Sequence, residues 1–323
     1  AINFTTQITD GTVTYDWSND NTAIGLAASG SGSVPSFNAV NNGDSPVSAT
    51  VTVTPTYTDS GESCTGPDQT FTITVNPTAQ VDDPANRVFC NSEATPVISF
   101  STQNTGGATT YTWTNDNTAI GLGAGGSGDI GSFTATNGGT SPISATIEVF
   151  PTYSSGGESC SGPSETFTIT VNPNGQADDP ANDVVCDGDN VAQIDFNTVN
   201  TGGTTTFNWT NTETGIGIAG SGSGSLPAFV ASNNGTSPVP ATITVTPVFA
   251  NGGTNCTGTS EDFTITVNPT AQVDDPANRT FCNGVNTPQI DFTTANSGGT
   301  TTYAWTNDNT AIGLAASGST DHI

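Results

Sequence analysis

Threonine alternates with apolar residues in short stretches all along this chain. Within residues 78–173 the stretches are Val97–Ser101, the threonine-flanked Tyr111 and Trp113, Ser132–Asn137, Ile143–Phe150 and Thr166–Val171. A period of two puts Ile98 with Phe100, Tyr111 with Trp113, and Phe167 with Ile169 and Val171 on single faces. Each stretch therefore reads as a half-buried strand. Ile143, Ala145, Ile147 and Val149 extend the pattern, and no helical period interrupts it. Between the strands, Asn115–Gly131 is rich in Gly, Asn and Ser, with Ile120 and Leu122 placed to cover a core. Gly156–Ser161 reads as a cysteine-bearing loop. The polar, proline-containing Thr78–Arg87 reads as a linker or a first edge strand.

The whole pattern returns every 96 residues. Trp17, Trp113, Trp209 and Trp305 keep that step, as do Cys64, Cys160 and Cys256, and Cys90, Cys186 and Cys282. A step without insertions means one module copied in tandem. Six or seven short strands per module predict a two-layer antiparallel sandwich. The chain is thus expected to be all-β, a series of immunoglobulin-like sandwiches in an elongated array. The tryptophans are expected in the cores. Asn-Pro pairs at 76–77, 172–173 and 268–269 close the modules. The expected divisions are residues 1–77 (a partial repeat without its first strand), 78–173 and 174–269 (complete), and 270–323 (a partial repeat without its C-terminal half). Both ends then fall inside sandwiches, as in a window on a longer array.

Charge narrows the function. The chain has 29 acidic residues and two basic ones, Arg87 and Arg279, for a net charge of −27. Nucleic acid and anionic membrane surfaces, which need clustered Lys and Arg, are disfavoured as partners. Such acidity suits a soluble protein in salty or calcium-containing water. No apolar run reaches the length of a membrane span. There is no CxxC and one histidine, His322, which disfavours zinc. Six regularly placed cysteines suit structural disulfides in an oxidising, extracellular setting.

Two local cysteine pairings are open: Cys64 with Cys90, or Cys90 with Cys160. Sandwich topology favours the second. Cys160 lies in a loop at the end where the chain enters its module, and Cys90 follows soon after that point. A disulfide needs Cα atoms within about 7 Å. The expected bonds are Cys90–Cys160 and Cys186–Cys256, with the partners of Cys64 and Cys282 outside the chain.

Candidate chemistry is sparse. Asp82 and Asp83, with their copies Asp178, Asp179, Asp274 and Asp275, sit in a repeated Asp-Asp-Pro-Ala-Asn string near the module junctions. Paired carboxylates beside an Asn and main-chain carbonyls suit Ca²⁺, which takes six to eight oxygens, and such an ion would stiffen a hinge. The alternative is a solvated turn that guards an edge strand. Asn115-Asp116-Asn117, repeated at Asn19–Asn21 and Asn307–Asn309, reads as a turn rather than a ligand set. The third module replaces it with Asn211-Thr212-Glu213. No Ser-His pair, lysine or lone reactive cysteine offers catalysis, so an enzyme is not expected.

The strings WTNDNTAIGL (Trp113–Leu122), SFTATN, SPISATIEVFPTY and TFTITVNP resemble the PKD-like, immunoglobulin-type repeats of large Bacteroidota surface proteins. The resemblance covers the whole chain. It implies a non-catalytic structural segment of an extracellular stalk, gliding or surface adhesin, filament or grappling-hook-type appendage. The partners it implies are neighbouring repeats of the same chain, with lateral association into a homo-oligomer or bundle. An adhesive module that binds surface glycans or proteins through its loops is the alternative. Identical copies of one loop, Asn19–Ser31 and Asn307–Ser319, favour architecture over recognition.

Overall fold

The computed structural model describes residues 1–323 and consists of strands, four 3-10 turns and connecting segments, with no α-helix. Two compact units are present, residues 1–137 with 143–171, and residues 138–142 with 172–323.

The first unit contains two sheets. In one, β1 (Thr12–Asn19), β2 (Ser29–Ser31), β3 (Val47–Asp59) and β4 (Glu62–Thr65) lie in the order β2-β1-β3-β4, and β5 (Gln69–Val75) also pairs with β3. The other is built from β6 (Arg87–Cys90), β7 (Ala108–Asn115), β8 (Gly125–Ser127), β9 (Ile143–Ser155), β10 (Glu158–Ser161) and β11 (Glu165–Asn172). Its order is β6-β11-β9-β7-β8, with β10 on β9.

In the second unit, β12 (Asp183–Cys186), β14 (Thr204–Asn211), β15 (Ser221–Ser223), β17 (Val239–Asn251), β18 (Thr254–Thr257) and β19 (Glu261–Asn268) repeat that order as β12-β19-β17-β14-β15. Two small pairs accompany them: β13 (Asn190–Val191) with β16 (Phe229–Val230), and β20 (Trp305–Thr306) with β21 (Ser317–Gly318).

Each large sheet hangs on a 13-residue strand: β3, β9 or β17. These outrun the eight residues expected from alternation because they change neighbours midway. β9 pairs with β11 as far as Glu165↔Val149 and with β10 from Ser161↔Thr152. Pro151 falls in the gap between, where the N–H that proline lacks has no partner to lose. Pro55 and Pro247 hold the same place in β3 and β17. The expected cysteine loop is therefore a hairpin. Its two-residue turn, Gly156-Gly157, has φ of 62° and 84°, as a primed turn between twisted strands requires.

The other layer of each sandwich is less regular than expected. Val97–Ser101 and Ser132–Asn137 form isolated bridges, Ile98↔Ile130 and Ala94↔Thr134, rather than strands. Side chains take over from the ladder here. The Thr95 hydroxyl donates to Phe133 O and accepts from Phe133 N–H, and Ser132 Oγ donates to Thr95 O. The core still closes from both sides: Trp113, Ile147, Val149, Phe167 and Ile169 meet Ile98, Ile120, Leu122 and Ile130. Separate clusters gather around Trp17 and Trp209.

The expected bonds Cys90–Cys160 and Cys186–Cys256 are not formed. Cys64, Cys160, Cys186 and Cys282 are free thiols, whereas Cys90 and Cys256 are disulfide-bonded. The second unit shows why the expected pairing fails. β12 runs parallel to β19 and sets Cys186 opposite Asn268, next to the Val239↔Val267 end of the sheet. Cys256 sits opposite Phe249, ten residues farther along β17. That is roughly 30 Å away, far beyond disulfide reach. The segment before β12 travels the length of its sandwich before the cysteine appears, so proximity in sequence to the incoming end misleads.

The tryptophan geometry makes a direct prediction. Trp113 lies opposite Gly126, and a Cβ on that glycine would stand 2.5 Å from ring atom Cζ2. Trp113→Ala is expected to destabilise by roughly 3–5 kcal/mol. Gly126→Ala should destabilise as well, by pushing the ring out of the core. Urea unfolding followed by fluorescence checks both.

Candidate functional site

The residues that do something other than fill a core gather where one 96-residue repeat meets the next. In the first unit, Asn41 builds the presenting loop. Its side-chain amide donates to Ser45 O and Val75 O, and its carbonyl accepts from Gly43 N–H. The loop offers Asp44 O, which accepts from Thr105 N–H at 2.8 Å. Beside it the Pro46 ring lies against Gly106, whose φ of +75° favours glycine. A Cβ there would come within 2.9 Å of Pro46 Cδ. Asn76 Nδ2 donates to Ser155 O, and Gln80 Nε2 to Asp44 Oδ1.

The second unit repeats this arrangement. Thr201 N–H donates to Thr140 O, and Ser297 N–H to Thr236 O. Gly202 and Gly298 face Pro142 and Pro238 at the same 2.9 Å, with φ of +76° and +75°. Asn172 Nδ2 donates to Asn251 O. The residue at the carbonyl changes from Asp44 to Thr140 and Thr236 without effect, because the bond uses the main chain.

A buried or half-buried Asn clamps each linker. Asn104 Nδ2 donates to Thr78 O, and Asn104 Oδ1 accepts from Gln80 N–H. Asn200 does the same for Asn174 O and Gln176 N–H, and Asn296 for Thr270 O and Gln272 N–H. Both polar ends of one amide thus satisfy main-chain groups of an irregular segment. Asp187 adds a charged contact, accepting from Asn233 N–H and the Thr270 hydroxyl. Those two bonds, the first the larger, hold its carboxyl below the usual carboxylate range. A lowered folded pKa means that its support is present above the usual range and is lost as pH falls through the folded value.

The candidate calcium ligands are placed otherwise. Both Asp82 oxygens accept hydrogen bonds, from the Ser101 hydroxyl and the Gln103 amide, which keep its carboxyl below the usual range. Asp274 accepts from Thr293, and Asp178 bonds Asn197 O through its N–H. Asp83, Asp179 and Asp275 join no cluster of three or more His, Cys, Asp or Glu side chains. The Asn115-Asp116-Asn117 string is a turn. Asn115 Nδ2 donates to Leu122 O, Asn117 caps the 3-10 turn through Ala119 N–H, and Asp116 accepts from Thr146 N–H. In the third repeat Glu213 takes over the cap and the Thr212 hydroxyl accepts from Thr242 N–H. A changed sequence keeps the bonds, so these side chains serve the loop. Trp17, Trp113 and Trp209 are buried, and Trp305 is half-buried.

The sequence reading passed over the junction residues. Their signal was the recurrence of Gly106, Gly202 and Gly298, where the first repeat has Asp10, and of Pro46, Pro142 and Pro238, at the 96-residue step.

No family model matches the chain, and no curated protein sequence matches it. Loose matches exist among solved tandem-domain structures. A segment of Drosophila N-cadherin is 15% identical over 82% of this chain and 69% of its own, with a TM-score of 0.29. Three titin immunoglobulin domains are 10% identical over 79% of this chain and 88% of theirs, at 0.38. Three N-terminal domains of the bacteriophage RB49 outer capsid protein Hoc are 13% identical over 82% and 91%, at 0.39. Residue roles are accordingly read from this chain alone.

Two outcomes follow from this geometry. Asn104→Ala leaves the linker groups at Thr78 and Gln80 unpaired, at a cost of about 1–3 kcal/mol. Protease cleavage within residues 78–82 should rise, as mass spectrometry of the fragments would show. Calcium chelation should leave the melting temperature unchanged, as calorimetry with and without chelator would show.

Proposed function

We propose that this chain is a non-catalytic structural segment of a long extracellular stalk, fibre or appendage. The observation that carries the reading is the junction. The same main-chain bond, proline–glycine contact and Asn clamp recur at the 96-residue step. A chain that invests its polar groups in joining copies of itself is suited to bearing load and setting spacing, with each repeat touching mainly its neighbours. The functional modules are taken as residues 78–173 and 174–269, flanked by 1–77 and 270–323, with boundaries near Pro77, Pro173 and Pro269. The disulfide-bonded Cys90 and Cys256 support an oxidising location. The sequence resemblance to Bacteroidota surface repeats supports the same setting. Neighbouring repeats and lateral copies are the partners this reading assigns. The acidity argues against nucleic acid.

The adhesive alternative requires loops that are free to bind. Asn19–Ser31 instead buries Ile24 and Leu26 in the core and is pinned by Asn19, which donates to Leu26 O. A loop so occupied is part of the sandwich.

Force spectroscopy on the reduced chain tests the reading. Complete modules should unfold one at a time, each adding roughly 32–35 nm of contour per 96 residues. Featureless extension at low force, or saturable binding of the chain to glycan or surface-protein arrays, would contradict it.

A further inference from the structure

The large sheet of the third repeat has β12 as its outermost strand, in the order β12-β19-β17-β14-β15. An outer strand presents a row of main-chain groups to any strand that could add to it, including one from another copy of the same chain. β12 is exposed to that hazard in a second respect. Val184 is 63% exposed, whereas its neighbour Val185 packs against the core around Trp209. The opposite edge offers less, since β15 is three residues long.

The register of β12 shows which of its amides face outward. It runs parallel to β19, with Asp183↔Ile265 and Cys186↔Asn268. Just past the strand, Asp187 N–H donates to Asn268 O at 2.9 Å. Groups along an extended chain alternate sides. The amides of Asp183, Val185 and Asp187 therefore turn toward β19, and those of Val184 and Cys186 turn away from it.

Neither outward amide is open. Val184 N–H donates to Asp183 Oδ1 at 2.8 Å, and Cys186 N–H donates to Asp189 Oδ2 at 2.8 Å. A turn positions the second carboxylate: Asp189 N–H donates to Cys186 O, and Ala231 N–H donates to Asp189 O. An incoming strand would have to displace both carboxylates before its own carbonyls could bond, and bonds to a carboxylate are the stronger kind. The second repeat keeps part of this arrangement. Glu93, the counterpart of Asp189, accepts from Cys90 N–H at 2.8 Å. The longer side chain makes the same bond, so what recurs is the cap rather than the residue. Arg87 stands at the place of Asp183 and leaves that edge charged as well.

We propose that Asp183 and Asp189 close the β12 edge to strand addition by a second copy of this chain. They do so by occupying its two outward amides. Lateral association of copies then runs through surfaces other than this edge.

Two double variants separate the hydrogen bonds from the charge. Asp183→Asn with Asp189→Asn removes both charges and keeps an acceptor oxygen at each place. Asp183→Ala with Asp189→Ala removes charge and acceptor together. Both positions are exposed, and tryptophan fluorescence verifies that each variant folds. In the alanine variant the Val184 and Cys186 amides should exchange hydrogen roughly tenfold faster than in wild type, as the loss of one hydrogen bond each implies. In light scattering its mean mass should at least double with rising concentration, over a range in which the asparagine variant matches wild type. Unchanged exchange at the two amides would overturn the proposal. So would an alanine variant that keeps the wild-type mass, or an asparagine variant that associates as the alanine variant does.

Discussion

One long strand holds each sandwich together. β3, β9 and β17 lie between their neighbours on both sides, and on one of those sides the neighbour changes partway along. A proline within such a strand would ordinarily cost a ladder bond. Here it sits at the change of neighbours, where no bond is due. The strand therefore keeps thirteen residues in register, which fixes the length of the sheet. That length places one cysteine series at each end of the sandwich and decides that the two series do not pair within a repeat.

The side chains that look chemical are consumed by the same architecture. Asn115 and its copies hold an irregular loop so that Ile120 and Leu122 can cap the core. Asp116 and Asp82 accept hydrogen bonds from their own repeat. The Asn104 series clamps the linkers. Asp82 and Asp274 accept from hydroxyls, Asp20 and Asp116 accept from main-chain N–H groups, and Asn19, Asn115, Asn211 and Asn307 each satisfy main-chain groups of their own loop. That is what an all-β chain with long irregular connections needs, since buried main-chain groups must find partners.

Much of this was legible in the sequence. The alternation in Thr166–Val171 and Ile143–Phe150 marks strands, and the 96-residue step marks tandem modules with a tryptophan in each core. Three things were not legible, each for a physical reason. The facing layer loses its ladder to Thr95 and Ser132 hydroxyls, which alternation does not register. The cysteine pairing depends on how far the linker travels before β6 and β12, and that is tertiary information. The junction uses main-chain carbonyls at Asp44, Thr140 and Thr236, so side-chain identity there carries little signal.

The central claim is that one junction recurs through main-chain bonding regardless of the local side chain. Amide hydrogen exchange at Thr105, Thr201 and Ser297 tests it most directly. The account predicts that all three amides are protected, although Asp44 supplies the carbonyl in one junction and a threonine supplies it in the other two. Exchange of these amides at the rate of an exposed loop, while the Trp113 and Trp209 amides stay protected, would contradict it.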